Sequence, residues 1–206
     1  MMKCIPAFAI GLLALSAAAT SLAQPPAKKQ VEPHARKKAG DEAPAVKVGD
    51  KVPSFVVVNL EGKSESLADL QKDPKSGQPR PIVLTFWCSF CDSCRGIDQP
   101  LDKLAAEYKG KATVVAIDAS APDSAADIKA FVTEHKLTLP VVVDKKGAAA
   151  DLFGAHVTTT TVVIDAAGTL RYRGRFSQAD HSFAAEALKA VLDGKDVHTK
   201  ETKPRG

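Results

Sequence analysis

Cysteine is scarce in this chain of 206 residues: there are four, and three fall inside one heptapeptide, at Cys88, Cys91 and Cys94. The fourth, Cys4, lies in an N-terminal stretch that reads as an export signal. Lys3 gives it a basic start, Ile5 to Ala19 an apolar run, and Ser21-Leu22-Ala23 a small-residue cleavage site before Gln24. The apolar run is short for a membrane span, so residues 1–23 are expected to leave with Cys4. Three cysteines crowded into one segment exclude a disulfide framework spread through the fold.

Also missing are a phosphate loop, a nucleotide motif, an internal repeat and any composition break that would mark a second domain. Nor does the central part of the chain have a basic excess. The formal charge is +4, but Lys3 contributes one positive charge, residues 24–47 three and residues 195–206 two, leaving −2 for residues 48–194. That excludes an electrostatic case for nucleic acid. Residues 24–47 are rich in Pro, Ala and Lys without aromatics and read as a flexible linker. Residues 195–206 read as a solvated basic tail.

What remains, residues 48–194, has the punctuation of one domain. Ser54–Val58 is a strand candidate, followed by a turn at Glu61-Gly62 and a short segment, Leu67–Leu70. Ile82–Trp87 is almost continuously apolar, which predicts a central strand covered on both faces. Ile97, Leu101, Leu104 and Tyr108 recur at helical spacing up to Gly110, with a bend expected at Pro100. Thr113–Asp118 and Val141–Val143 are further buried strands, separated by a helix over Asp123–Lys136. Ala148–Phe153 can form a short helix. Thr160–Asp165 and Thr169–Arg175 form a hairpin around Gly168, and Ser182–Leu192 is a last amphipathic helix stopped by Gly194. Arg171, Arg173 and Arg175 alternate along the second hairpin strand and predict a solvated edge. The order predicts an α/β domain of three layers with a mixed central sheet, and in such sheets functional groups gather beyond the carboxyl ends of the strands. The cysteines stand at such an end.

A thiolate is both a nucleophile and a soft metal ligand, and a helix N-terminus favours it. Three segments around this site are similar to the thioredoxin superfamily, in its exported redoxin (AhpC/TSA-like) branch with the TlpA- and ResA-like proteins. They are Gly49-Asp50-Lys51-Val52-Pro53-Ser54-Phe55, then Phe86-Trp87 followed by Cys91-x-x-Cys94-Arg95, and Leu152-Phe153-Gly154 leading into Thr158–Asp165. The resemblance implies a thioredoxin-like fold and a thiol–disulfide oxidoreductase. Cys91 would attack and Cys94, one turn further in, would resolve. It also implies a periplasmic or otherwise exported monomer acting on exported protein thiols and disulfides or on small thiols, with electrons from a membrane donor and no resident cofactor.

Four departures from the pattern matter. Asp92-Ser93 separates the cysteines, and Asp92 reads either as a charge that raises the Cys91 pKa and favours a reducing pair or as a solvated first-turn acid that complements the helix dipole. Thr159 stands where relatives have a cis-proline; its peptide bond should be trans, and with Thr158 it forms the loop facing substrate. The buried carboxylate of relatives is replaced by Thr85 or Val58, which leaves water, Asp118 or His156 as base. Cys88 stands where relatives have Ala or Gly and reads as packing, a third redox thiol or a metal ligand. The last option defines an alternative function, a Sco-like copper or zinc protein holding Cu(I) or zinc through Cys88, Cys91, Cys94 and His156. A peroxiredoxin-like peroxidase ranks third, because the proline and threonine it requires are replaced by Cys88 and Ser89. His34, His135, His181 and His198 have no metal-like spacing.

Overall fold

A computed structural model describes residues 46–203. The expected signal, residues 1–23, lies outside the described residues, as do positions 24–45 of the linker and the last three residues of the tail. Order is already established at Val46, which is buried and donates its N–H to Leu152 O.

Seven strands form one mixed sheet. They are β1 (Val56–Asn59), β2 (Ser64–Ser66), β3 (Ile82–Trp87), β4 (Thr113–Asp118), β5 (Val141–Val143), β6 (Thr160–Ile164) and β7 (Leu170–Arg175), in the spatial order β2-β1-β5-β4-β3-β6-β7. The apolar strands β3, β4 and β5 run parallel at the centre. β1 joins β5 antiparallel, and β6 and β7 extend the other side as an antiparallel hairpin. Every residue of β3, β4 and β6 is buried, as near-continuous hydrophobicity predicts for strands covered on both faces. β2 is an addition; its Ser64 and Ser66 carry no apolar alternation that would announce a strand.

Successive side chains of β3 point to opposite faces and divide the core. Val83 and Trp87 pack with Leu101 and Leu104 of α3 (Asp98–Glu107), Ile128 of α4 (Ala125–Glu134) and Leu188 of α6 (Phe183–Leu192). Ile82, Leu84 and Phe86 pack on the other face with Leu67 and Leu70 of α1 (Leu67–Gln71) and Phe153 of α5 (Ala148–Phe153). The result is the expected three-layer α/β arrangement. Ser66 and Ser124 start α1 and α4 with capping boxes through Asp69 and Asp127.

Two expectations change. The bend assigned to Pro100 does not occur there. The helix breaks earlier, between α2 (Asp92–Arg95) and α3, and Pro100 falls in the first turn of α3, where backbone N–H groups have no intrahelical partner to lose. The C-terminal tail is not solvated along its length. Lys200 O accepts from Arg173 N and Thr202 N donates to Arg173 O, so the tail lies along the outer edge of β7. The three arginines hold this arrangement. Arg171 pairs with Asp165 and Asp196, Arg173 with Glu201, and Arg175 donates to Lys203 O. Gly174 permits the close approach, because a Cβ there would overlap the Thr202 hydroxyl.

Candidate active site

β3 ends at Trp87 and delivers Cys88 to the carboxyl end of the sheet, after which two successive tight turns place the other cysteines. Cys91 N donates to Cys88 O at 3.5 Å, and Cys94 N donates to Cys91 O at 3.0 Å. Each cysteine is thus one hydrogen-bonded turn from the next, and the three sulfurs lie within 4.8 Å of one another. Cys88 and Cys94 are buried, whereas Cys91 is partly exposed. Phe90 projects beside it, 59% exposed.

The loop is clamped from below. Arg95 donates to Ser89 O and Cys88 O at 3.0 and 3.2 Å, pairs with the buried Asp98 at 3.2 Å, and lies 3.9 Å from the Phe131 ring centroid. Asp98 also accepts from Trp87 Nε1 at 2.7 Å. A second carboxylate, Asp123, accepts from both the backbone N–H and the hydroxyl of Ser89, at 2.8 and 2.6 Å. Sequence reading missed both clamps. The i,i+3 spacing of Arg95 and Asp98 was the one available signal for the first.

The three thiols differ because their surroundings differ. Burial works against the Cys91 thiolate, but hydrogen bonds from Thr158, from the Cys94 thiol and from the backbone N–H groups of Cys94 and Ser93 outweigh it, and its pKa falls below the ordinary value. The Thr158 Oγ1 lies 3.1 Å from the sulfur. Of the two readings of Asp92, the solvated first-turn acid fits: its side chain is exposed to water, where its charge is screened, and the Cys91 pKa is not raised. α2 has only four residues, so individual N–H groups rather than a long helix dipole stabilise the thiolate. Burial pushes Cys88 up to about 11, opposed in part by a hydrogen bond with Ser120. Burial raises Cys94 still more.

Thr159 is buried, in the left-handed region at φ 66°, with a trans peptide bond, and donates its N–H to Phe86 O at 2.6 Å. That bond ties the loop to the end of β3 through a donor that proline lacks. Thr85, at the position of the missing carboxylate, faces Thr161 with their hydroxyls 3.0 Å apart, a neutral pair in the buried sheet. A buried carboxylate is present on the neighbouring strand β4. Asp118 is paired in register with Trp87 and is fully buried; its Oδ1 accepts from Ser120 N at 2.7 Å, while Oδ2 accepts from no donor among the described residues. Burial raises its pKa to about 8, helped by the hydrogen bond that its protonated form makes with Asp123 and by the Asp123 charge.

The four-ligand set expected for a metal is not assembled. The three sulfurs form the cluster, but the exposed imidazole of His156 is not part of it, although His156 shares a cleft with Thr158 and Ser120. The sulfurs alone remain a donor set for a soft ion such as Cu(I).

Comparison with known proteins agrees with this geometry. The AhpC/TSA family model matches residues 48–173. The thioredoxin-like protein YneN of Bacillus subtilis is 32% identical over 127 residues, covering 61% of this chain and 70% of that protein. The thiol-disulfide oxidoreductase ResA of Bacillus thuringiensis subsp. konkukian is 32% identical over 124 residues, covering 60% and 66% respectively, so the chain spans about two thirds of its length. Among solved structures, the Sinorhizobium meliloti protein SMc02350 superposes with a TM-score of 0.69 over 80% of this chain and 94% of that one, at 24% identity, a likeness of fold alone. A Chlorobium tepidum protein assigned as thiol:disulfide interchange protein DsbE gives 0.60 at 26% identity, over 72% and 99%. The chain belongs to the AhpC/TSA family, in the redoxin branch of the thioredoxin superfamily that contains the ResA-like thiol-disulfide oxidoreductases.

Proposed function

We propose that the protein is an exported thiol–disulfide oxidoreductase that reduces disulfides in exported proteins or small molecules, with Cys91 as attacking thiol and Cys94 as resolving thiol. The observation that carries this reading is the contrast within the cluster. One partly exposed sulfur is stabilised as thiolate by Thr158 and backbone N–H groups, with buried thiols within 4.8 Å behind it. Cys91 attacks the substrate disulfide and releases the first substrate thiolate. An intramolecular thiol then displaces the second, so the substrate gains two electrons and the enzyme is left with one disulfide. Export is supported by the signal-like residues 1–23, and in an oxidising compartment a membrane electron donor would re-reduce the enzyme. Insulin reduction measured for wild type and Cys91→Ser tests the reading: turnover should disappear in the variant, and unchanged turnover would remove Cys91 from the mechanism.

The mutual approach of three sulfurs favours a second reading, a carrier of Cu(I) or zinc that uses the same thiolates without His156. Competition with a chromophoric Cu(I) chelator under reducing conditions separates the two. One tightly held ion that is lost in Cys88→Ala and retained in His156→Ala supports the carrier; no competition rejects it.

A further inference from the structure

Cys88 is a buried residue whose place in the packing does not account for it. It is 2% exposed, yet it belongs to neither of the two hydrophobic clusters that flank the sheet, whereas Cys94 is part of one. Its surroundings are polar and reactive. Its own N–H is directed at the Cys94 sulfur, Ser120 hydrogen-bonds its thiol, and the charges of Cys91, Asp118 and Asp123 bear on it. The backbone relates Cys88 to Cys91 much as it relates Cys91 to Cys94, by an N–H to C=O bond across three residues. A turn closed in that way holds its end Cα atoms within about 7 Å, about the upper limit of the span that a disulfide bridges.

We propose that Cys88 is a second resolving thiol for Cys91, with the buried carboxylate of Asp118 receiving its proton. The inference rests on the oxidoreductase reading above. Once Cys91 is joined to one sulfur of the substrate, the Cys88 sulfur attacks the Cys91 sulfur. The bond between Cys91 and substrate breaks, a Cys88–Cys91 disulfide forms, and the substrate sulfur leaves as thiolate, to be protonated by water. The Cys88 proton passes to Asp118 in its ionised form, which prevails above about pH 8; its Oδ2, which accepts from no donor among the described residues, is enclosed one ladder position before Cys88. Cys94 stays reduced at this stage and lies within 4.8 Å of both sulfurs of the new bond, so it can exchange into it and return a thiolate to Cys91 or Cys88. Since both resolving thiols sit one turn from the attacker, the disulfide can move inward without a change of partner protein.

The test uses the full-length reduced protein above pH 8, where Asp118 is ionised, and the chromogenic disulfide 5,5′-dithiobis(2-nitrobenzoate). Attack by Cys91 releases one thionitrobenzoate, and resolution releases a second. In Cys94→Ser both releases should occur, and the tryptic peptide ending at Arg95 should lose two hydrogens, since only Cys88 and Cys91 remain in it. In Cys88→Ser/Cys94→Ser the first release should persist and the second should vanish. Asp118→Asn in the Cys94→Ser background should slow the second release by about a hundredfold and leave the first unchanged, a split that a purely structural defect would not produce. A first release without a second in Cys94→Ser would overturn the role of Cys88. An unchanged second rate in Asp118→Asn would overturn the proton-acceptor role. Loss of the first release in Cys91→Ser alone is required by the parent reading; its persistence there would sink that reading instead.

Discussion

The thiolate of Cys91 is favoured by what donates to its sulfur. Thr158 is the largest favourable contributor, and it sits on a loop 67 residues away in the chain, beyond the reach of any local motif. Removing its hydroxyl while keeping its shape leaves burial less opposed, so Thr158→Val should raise the Cys91 pKa. The pH profile of iodoacetamide alkylation measures this: the midpoint should move to higher pH, and a profile that overlays wild type would show that the contact carries no charge stabilisation. The same residue scale shows what sequence reading could and could not reach. Cys91 and Cys94 could be singled out as candidates because their chemistry, spacing and flanking Phe86-Trp87 and Arg95 lie within one short segment. The direction of the Cys91 shift was not legible, since Asp92 is adjacent in sequence but exposed, while Thr158 is remote in sequence but in contact.

At the scale of elements, strands β3, β4 and β6 could be read from their apolar runs, because burial on both faces leaves no other composition. β2 and the break between α2 and α3 could not: each depends on pairing or on a tertiary clamp more than on propensity. The loop from Val157 to Thr160 joins these levels. Thr159 holds a left-handed backbone conformation and donates to Phe86 O, so the loop is fixed to the strand that delivers the cysteines. Proline, which the family resemblance leads one to expect at this position, requires φ near −65° and has no N–H. Thr159→Pro should therefore destabilise the fold by about 3 kcal/mol or more through backbone conflict and a stranded carbonyl. Urea unfolding of the reduced protein measures it. An unaltered midpoint would mean that the loop can adopt the relatives' geometry at no expense.

For the whole molecule, the buried carboxyl of Asp118 links the site to global stability. Its ordinary value is 3.8 and burial raises it to about 8, so between these values the folded protein holds a proton that the unfolded chain has released. Stability then falls as pH rises from about 4 to about 8 and is not regained above. Asparagine cannot ionise, so Asp118→Asn should flatten the decline in Tm across that window and leave the variant more stable than wild type above it. A decline of equal steepness in the variant would assign the pH dependence to other groups.

The strip of tail along β7 has a consequence at the same scale. An outer strand normally presents a row of unused backbone donors and acceptors that invites another chain to pair. Here Arg173, the middle of that row, is already engaged by Lys200 and Thr202 of its own chain. At the far side, β2 offers only three residues. A disulfide-bearing client that arrives partly unfolded therefore meets one sheet margin already occupied and another too short to template it. Strand addition at either margin of the sheet is thereby disfavoured, and with it co-aggregation.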